Sequence, residues 1–176
     1  MSFSRETYLV VFVILVFNVF AYSQVSRVTA PQDSQITEIL KTINGAEIEA
    51  AQLASKSTNK AVSDFAQHMI TAHEGSNKEV MHLEKNTQLS DRNSPAGEKL
   101  KLDTGNQFAS LKKLTGKDFD RAYIADQVKD HSEVLEMFDK TLIPNAKNRD
   151  LKSLLSKTRD VVASHLDMAK KLQSEL

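Results

Sequence analysis

The feature that most constrains this fold is a helical period of apolar residues, which continues almost unbroken from about residue 33 to the end of the chain. Apolar side chains recur three and four positions apart, and few stretches show the strict alternation that is typical of strands. Helix-breaking residues are scarce, since the 176 residues include only 3 prolines and 5 glycines. The pattern therefore predicts an all-α fold.

Turn-forming residues divide this pattern into four long helices and one weaker one. The long helices are predicted at about 33–57, at 60–88, from a capping box at 115–118 to about 142, and at 149–174. Asp33 or Ser34 is expected to cap the first helix, and Asn148 the last. A weaker period at 98–114, carried by Leu100, Phe108, Leu111 and Leu114, predicts a short crossover helix. Short loops within each pair of long helices predict two antiparallel hairpins that form a four-helix bundle.

The first 23 residues resemble an export signal. Arg5 precedes an apolar run from Tyr8 to Phe20, and Ala21-Tyr22-Ser23 provides a small-residue cleavage site. We expect residues 24–32 to be a flexible leader and 33–176 to be the bundle domain, located in the periplasm or outside the cell, with an association with the envelope left open. An uncleaved anchor is the alternative, but the apolar run is shorter than the roughly 20 residues that span a bilayer. The mature chain is therefore expected to lack a transmembrane segment.

Composition excludes several classes of function. No cysteine occurs, so disulfides, thiolate ligands and an acylated-cysteine anchor are absent. Basic and acidic residues balance at 23 each and are interspersed, which gives no sign of a nucleic-acid partner. The chain contains neither a Gly-x-Ser-x-Gly elbow nor a phosphate-binding glycine loop. These observations argue against hydrolases and nucleotide enzymes.

Each of the four long helices carries one metal-ligand residue type at the centre of its apolar face. These residues are Glu47, His73, His131 and His165. On a helical projection Glu47 falls among Ile36, Leu40 and Ile43, and His165 among Leu154, Val161 and Met168. The two other histidines, His68 and His82, project towards the solvated face. Because burial of an unpartnered polar group costs several kcal/mol, the four residues are expected to meet one another, water or a cation.

A transition metal is one interpretation of this set. Three neutral imidazoles and one carboxylate suit zinc, copper or iron in a mononuclear site. A di-iron carboxylate site would need Glu-x-x-His pairs, but Ile70, Val128 and Val162 stand three residues before the core histidines. Oxidoreductase chemistry would need an open coordination position, which a sequence does not reveal.

A purely structural layer is the other interpretation. A buried His–Glu layer can fix helix register in a non-enzymatic envelope or interaction module. Counting residues from the turns places His131 and His165 of the second hairpin roughly 9 Å apart along the helix axis. An alternative to one site is therefore that the four residues form two separate polar pairs. Met69 and Met168 would suit copper, but methionine at such positions is more often an ordinary core residue. Tyr123 and Gln127 are interpreted either as partners of the site or as members of the polar layer.

Several segments resemble the exported bacterial domain of unknown function 4142 family, and the resemblance covers about 36–172. Its most specific part is Gly-x-x-Phe-Asp-x-x-Tyr at 116–123, followed by Asp130-His131. The other segments are Gly45-Ala46-Glu47-Ile48-Glu49, the stretch from Phe65 to His73, and His165-Leu166-Asp167-Met168-Ala169. The resemblance implies a ferritin-like helical bundle with Glu47, His73, His131 and His165 at recurring polar positions. Members are often labelled outer-membrane proteins, a label that implies no reaction.

Overall fold

The protein is described here by a computed structural model that covers residues 30–89 and 92–176. The predicted signal and most of the predicted leader lie outside these residues. The helices are α1 (Asp33–Ala54), α2 (Lys60–Thr87), α3 (Pro95–Leu111), α4 (Gly116–Met137), a π-helical turn (Phe138–Leu142), α5 (Ile143–Asn145) and α6 (Arg149–Gln173). No strand occurs in the part of the chain that the structure describes. The predicted all-α fold is therefore confirmed.

The helices form two antiparallel hairpins linked by a crossover, as the sequence predicts. α1 packs against α2, α4 packs against α6, and α2 and α6 bring the two hairpins together. The crossover helix α3 lies on α1, whereas α1 and α4 make only sparse contact. The bundle is thus tightly packed along three of its sides and loosely packed along the side between α1 and α4.

The helix caps match the prediction at the last helix and differ at two others. The Asn148 side chain accepts hydrogen bonds from the backbone N–H groups of Asp150 and Leu151 at 2.9 and 3.0 Å. Thr115 is the N-cap of α4, but its side chain makes no capping bond, so the predicted capping box does not form. Gln32 rather than Asp33 or Ser34 is the N-cap of α1. The Asp33 carboxylate instead accepts the N–H groups of Lys147 and Asn148, which ties the start of α1 to the start of α6.

The crossover helix begins and ends three residues earlier than predicted. Ser94 caps it by accepting the Gly97 N–H at 2.9 Å, and a proline at the first position suits a helix start. Leu111 ends the helix and is buried, while Leu114 lies beyond it and is 38% exposed. The start of α3 is held on α1 by buried Glu38, which accepts a hydrogen bond from the Ser94 hydroxyl at 3.3 Å and binds the Lys101 ammonium in the second turn at 2.9 Å.

A layer of polar side chains separates two hydrophobic clusters inside the bundle. One cluster includes Ile36, Leu40, Phe138 and Leu155, and the other includes Ala51, Met69, Tyr123 and Ala169. Between them all four long helices contribute buried polar residues at one level. This polar layer consists of Asn44, Glu47, His73, Gln127, His131 and His165. The placement of Val161 in the core face was wrong, because it is 48% exposed and Val162 is buried in its place.

No helix among the described residues is both long and apolar enough to cross a lipid bilayer.

Candidate metal centre

Three buried histidines from α2, α4 and α6 converge in the polar layer. His73, His131 and His165 are 5%, 2% and 2% exposed. Their ring centroids lie 6.1 Å apart for His73 and His131, 5.5 Å for His73 and His165, and 5.6 Å for His131 and His165. One nitrogen from each ring lies within 4.8 Å of the others. These three residues form a single group, the histidine cluster. The sequence had left two separate polar pairs as an alternative arrangement.

The helical turn before α6 explains why His131 and His165 reach the same level. Helical turns continue through the π-helical segment and α5 to Asn145, so the chain reverses over residues 146–148. Measured from Lys147, His131 and His165 are 16 and 18 residues away, an offset of about 3 Å. A sequence count that starts at Asn145 overestimates the offset because it places the reversal too early.

Asn44 fixes the orientation of His73. Its Oδ1 lies 2.9 Å from His73 Nδ1, while its Nδ2 donates to Ser76 Oγ and Asn77 Oδ1. Since an amide oxygen only accepts, His73 Nδ1 must carry the proton of this bond, and Nε2 keeps its lone pair. His73 Nε2 is buried and has no hydrogen-bond partner within the described ranges. The imidazole therefore presents an unused nitrogen lone pair inside the bundle.

His131 is oriented in the same way by the backbone of its own helix. Its Nδ1 lies 3.0 Å from the carbonyl oxygen of Gln127, which also only accepts, so Nδ1 is protonated and Nε2 is the basic nitrogen. Histidines that bind metals commonly donate their second N–H to such an oxygen. His165 differs, since its buried Nδ1 lacks a partner among the residues that are described.

Burial keeps all three imidazoles neutral. Desolvation, followed by repulsion from the other histidines, lowers the pKa of His73 to about 3 and that of His165 to about 4. Burial also lowers the pKa of His131, although its bond to Gln127 acts in the opposite direction. Neutral imidazole is the form that binds metal ions, so the ligands need not release protons near pH 7.

Glu47 lies beside the histidine cluster and outside it. Its Oε1 is 3.8 Å from His131 Nδ1, and its Oε2 accepts a 2.7 Å hydrogen bond from Gln127 Nε2. Burial raises the pKa of Glu47 to about 7, and the nearby Asp130 and Asp126 raise it further, against the lowering effect of Gln127. Glu47 lies outside the cluster because of its level along the bundle axis. Asn44, one turn earlier on α1, is the residue at the level of His73.

A small cavity of about 20 Å³ adjoins His73 and His165 and is also lined by Asn44 and Ser76. This volume is close to what one water molecule needs. His73 Nε2 and His165 Nδ1 are buried and lack partners among the described residues. The polar layer therefore has space and unpaired nitrogen atoms for a water molecule or an ion.

Two residues lie near the cluster although the sequence did not predict them as part of it. Asn44 lies on the same apolar face of α1 as Leu40 and Glu47, and its place there was the available signal. His68 is exposed as predicted, yet its ring meets the His165 ring edge-on at a centroid distance of 5.2 Å. His82 is also exposed and bonds only to Asn86 among the residues described. A helical projection places His68 on the exposed side of α2 and cannot show that α6 lies close enough for the two rings to meet.

The methionines that sequence analysis linked to copper belong to the apolar core. Met69 is fully buried in the hydrophobic cluster that contains Tyr123, and Met168 packs against that cluster. Gln127 is a member of the polar layer and donates a hydrogen bond to Glu47, so its contacts are compatible with both sequence interpretations.

Fold and site together define an α-helical bundle with a buried three-histidine cluster between its hairpins. Residues 21–172 match the family model described as a domain of unknown function (DUF4142), so the chain belongs to that family. A comparison with curated proteins found no match. Among solved structures the chain is similar to CopM in the Cu(II)-bound form, with a TM-score of 0.62 and 15% identity over 84% of this chain and 99% of that one. At this identity the likeness shows the fold.

Proposed function

We propose that this protein is an exported metal-binding bundle that holds one transition-metal ion, with Cu(II) as the first candidate, at His73, His131 and His165. The observation that carries the proposal is the convergence of three buried imidazoles whose ligand nitrogens lie within 4.8 Å of one another. Their fixed tautomers at His73 and His131 support it, because each leaves Nε2 as a lone-pair donor.

The choice of ion rests on donor chemistry and on the structural neighbour. Imidazole nitrogens suit zinc, copper and iron, and among divalent ions of this row Cu(II) binds such donors most tightly. The similar bundle CopM is a Cu(II)-bound protein. We assign Glu47 the role of a carboxylate beside His131, because its Oε1 lies 3.8 Å from Nδ1, the nitrogen that would not bind the ion. From there its negative charge would partly offset the positive charge of the ion, which three neutral histidines leave uncompensated.

A purely structural polar layer is the competing function, and one observation supports it. Asn44 Oδ1 already accepts the N–H of His73, and the Gln127 carbonyl accepts that of His131. The Gln127 side chain donates to one oxygen of Glu47. However, His73 Nε2 and His165 Nδ1 lack partners in the described chain, which a layer selected only for stability would be expected to avoid.

The test is to reconstitute the purified metal-depleted protein separately with Cu(II), Zn(II) and Fe(II) and to measure bound metal by inductively coupled plasma mass spectrometry. We expect one ion per chain, with Cu(II) held most tightly and nitrogen hyperfine coupling in its electron paramagnetic resonance spectrum. The combined variant His73→Gln, His131→Gln and His165→Gln should lose the ion and keep its helical circular dichroism.

The control is His82→Gln, which removes an exposed histidine that bonds to Asn86. This variant should retain the metal. If the wild-type protein binds none of the three ions, the metal proposal fails and the structural layer stands. Equal binding by the triple variant would instead place the ion elsewhere.

A further inference from the structure

A second, larger cavity lies between α1, α3 and α4, on the loosely packed side of the bundle. It has a volume of about 640 Å³. On the side where α1 faces α4, the cavity is lined by small residues of α1: Gly45, Ala46 and Ala50. The helix α3, which packs on α1, covers the cavity. Binding sites for small organic molecules typically have volumes of roughly 300–1,000 Å³. We refer to this space as the α3 groove.

The floor of the α3 groove contains two buried polar atoms that lack partners among the described residues. These are the hydroxyl of Tyr123, which is fully buried, and Oε1 of Gln127, which is 2% exposed as a residue. Gln127 is held in place, since its Nε2 donates to Glu47 Oε2. Burial of such atoms without a hydrogen-bond partner is costly and uncommon. Each atom is therefore a candidate contact for a bound ligand. The amide oxygen in particular requires a hydrogen-bond donor.

Acidic side chains dominate the rim. Half-buried Asp126 and Asp130 stand one turn apart on α4, and Gln107 of α3 donates to Asp130 at 2.6 Å. The lysines of the lining have anionic partners. Lys41 binds Glu84 and Lys101 binds Glu38, each at 2.9 Å. Lys129 binds Glu133 at 3.1 Å and Asp130 at 3.4 Å, so Asp126 is the rim carboxylate without a lysine partner at salt-bridge distance in the described chain. Burial raises the pKa of Asp126, and the nearby Asp130 adds to this rise, against the lowering effects of the Gln107 hydrogen bond and of Lys129. The groove therefore favours a positive charge.

The walls restrict what form that charge can take. Leu100, Phe108 and Leu111 form an apolar side that offers no ligands to an inorganic ion. A single hydrated metal ion would also leave most of the volume unfilled. From the orphaned acceptors, the acidic rim and the apolar wall, we propose that the α3 groove binds a small alkylammonium compound. Its ammonium group would donate to Gln127 Oε1 and to Asp126, and its hydrocarbon chain would pack on α3.

The experiment titrates metal-depleted protein with hexylammonium. The metal is removed so that the amine cannot coordinate it. Isothermal titration calorimetry gives the affinity, and amide chemical shifts from nuclear magnetic resonance give the location. Hexan-1-ol and hexanoate are the matched ligands without charge and with opposite charge. We expect shifts centred on Phe108, Asp126 and Gln127, and a dissociation constant about tenfold lower for hexylammonium than for hexan-1-ol.

Two variants test the polar contacts separately. Asp126→Asn keeps the shape of a half-buried side chain and should weaken hexylammonium about fivefold to tenfold while hexan-1-ol binding stays unchanged. Gln127→Leu removes the orphaned acceptor and should weaken both ligands that carry a donor. Asp160→Asn, at a carboxylate that is 82% exposed on α6, is the control and should bind like the wild type. Melting curves identify any variant that fails to fold.

Three results would overturn the proposal. The first is no binding of hexylammonium up to about 10 mM, a dissociation constant too weak for a built site. The second is equal affinity for hexan-1-ol, which would leave a nonspecific apolar groove. The third is a shift pattern centred on the histidine cluster in place of the α3 groove.

Discussion

At the scale of single residues, the chemistry of the polar layer depends on which nitrogen of each histidine carries a proton. Asn44 and the Gln127 carbonyl set this choice for His73 and His131 through hydrogen bonds of 2.9 and 3.0 Å. A partner of this kind both orients the ring and makes the opposite nitrogen a better donor. Asn44 therefore matters to the site although it would not touch a bound ion.

Replacing Asn44 with leucine should weaken Cu(II) binding by about 10- to 100-fold, the usual effect of losing a residue that orients a metal ligand. The substitution preserves volume approximately and removes the acceptor of the His73 Nδ1 proton. Competition with a chelator of known affinity would measure the change. Asn86→Leu is the matched control, because Asn86 bonds to the exposed His82. Equal losses in the two variants would contradict the role given to Asn44.

The stability of the metal-depleted protein should fall as the pH decreases from about 6.5 to 4.5. In this window the unfolded chain protonates His73, His131 and His165, whereas burial lowers their native pKa values, to about 3 and about 4 for His73 and His165. Acid therefore favours unfolding. Glu47 opposes this trend, since its raised native pKa of about 7 means that the native state gains one proton that the unfolded state lacks. Three protons outweigh one, so the net effect is a loss of stability.

Urea unfolding of the metal-depleted protein at several pH values measures this dependence. Each histidine contributes at most about 1.4 kcal/mol per pH unit, so His73→Gln should flatten the slope by roughly 1 kcal/mol per pH unit across this window. His82→Gln should leave the slope as it is. A wild-type stability that stays constant, or rises, between pH 6.5 and 4.5 would show that the imidazoles are not buried as neutral groups.

At the scale of helices, the caps show what a local motif can and cannot predict. Asn148 was predicted as a cap and binds two backbone N–H groups, because its short side chain folds back on the chain that follows it. Thr115 occupies the N-cap position of α4 without a capping bond. Asp33 was predicted as a cap of α1, but its carboxylate accepts the backbone N–H groups of Lys147 and Asn148. These residues lie more than 110 positions further along the chain. Local sequence does not contain that competing contact.

Asn148→Ala should lower the free energy of unfolding by about 1 kcal/mol, the usual cost of losing a cap that bonds. Thr115→Ala should cost less than half as much, since no hydrogen bond is lost there. Chemical denaturation would compare the two midpoints at constant slope. If the two variants are destabilised equally, the capping geometry described for α4 is wrong.

At the scale of the whole molecule, periodicity predicted the bundle and the identity of the three converging histidines, because both follow from which face of a helix is apolar. It did not predict their common level, which depends on the turns that carry α4 on to Asn145. Nor did it predict the α3 groove. A gap between α1 and α4 results from how whole helices pack, and residues such as Ala46 and Ala50 satisfy the same apolar period whether they face a neighbour or a cavity.

The histidine cluster joins the two hairpins, since His73 belongs to the first and His131 and His165 to the second. A metal ion bound there would cross-link the hairpins and stabilise only the folded state. At a ligand concentration 100 times the dissociation constant this linkage amounts to about 2.7 kcal/mol. For a domain of this size each kcal/mol shifts the melting temperature by roughly 2–4 °C. Cu(II) should therefore raise the melting temperature by about 5–10 °C.

Calorimetry would measure this shift, and amide hydrogen exchange would locate it. Protection should increase in α2, α4 and α6 around the cluster, and only weakly in α3, which contributes no histidine. The combined His73→Gln, His131→Gln and His165→Gln variant should show no shift, whereas His82→Gln should behave like the wild type. A shift of the same size in the triple variant would mean that Cu(II) binds and stabilises the protein somewhere other than between the hairpins.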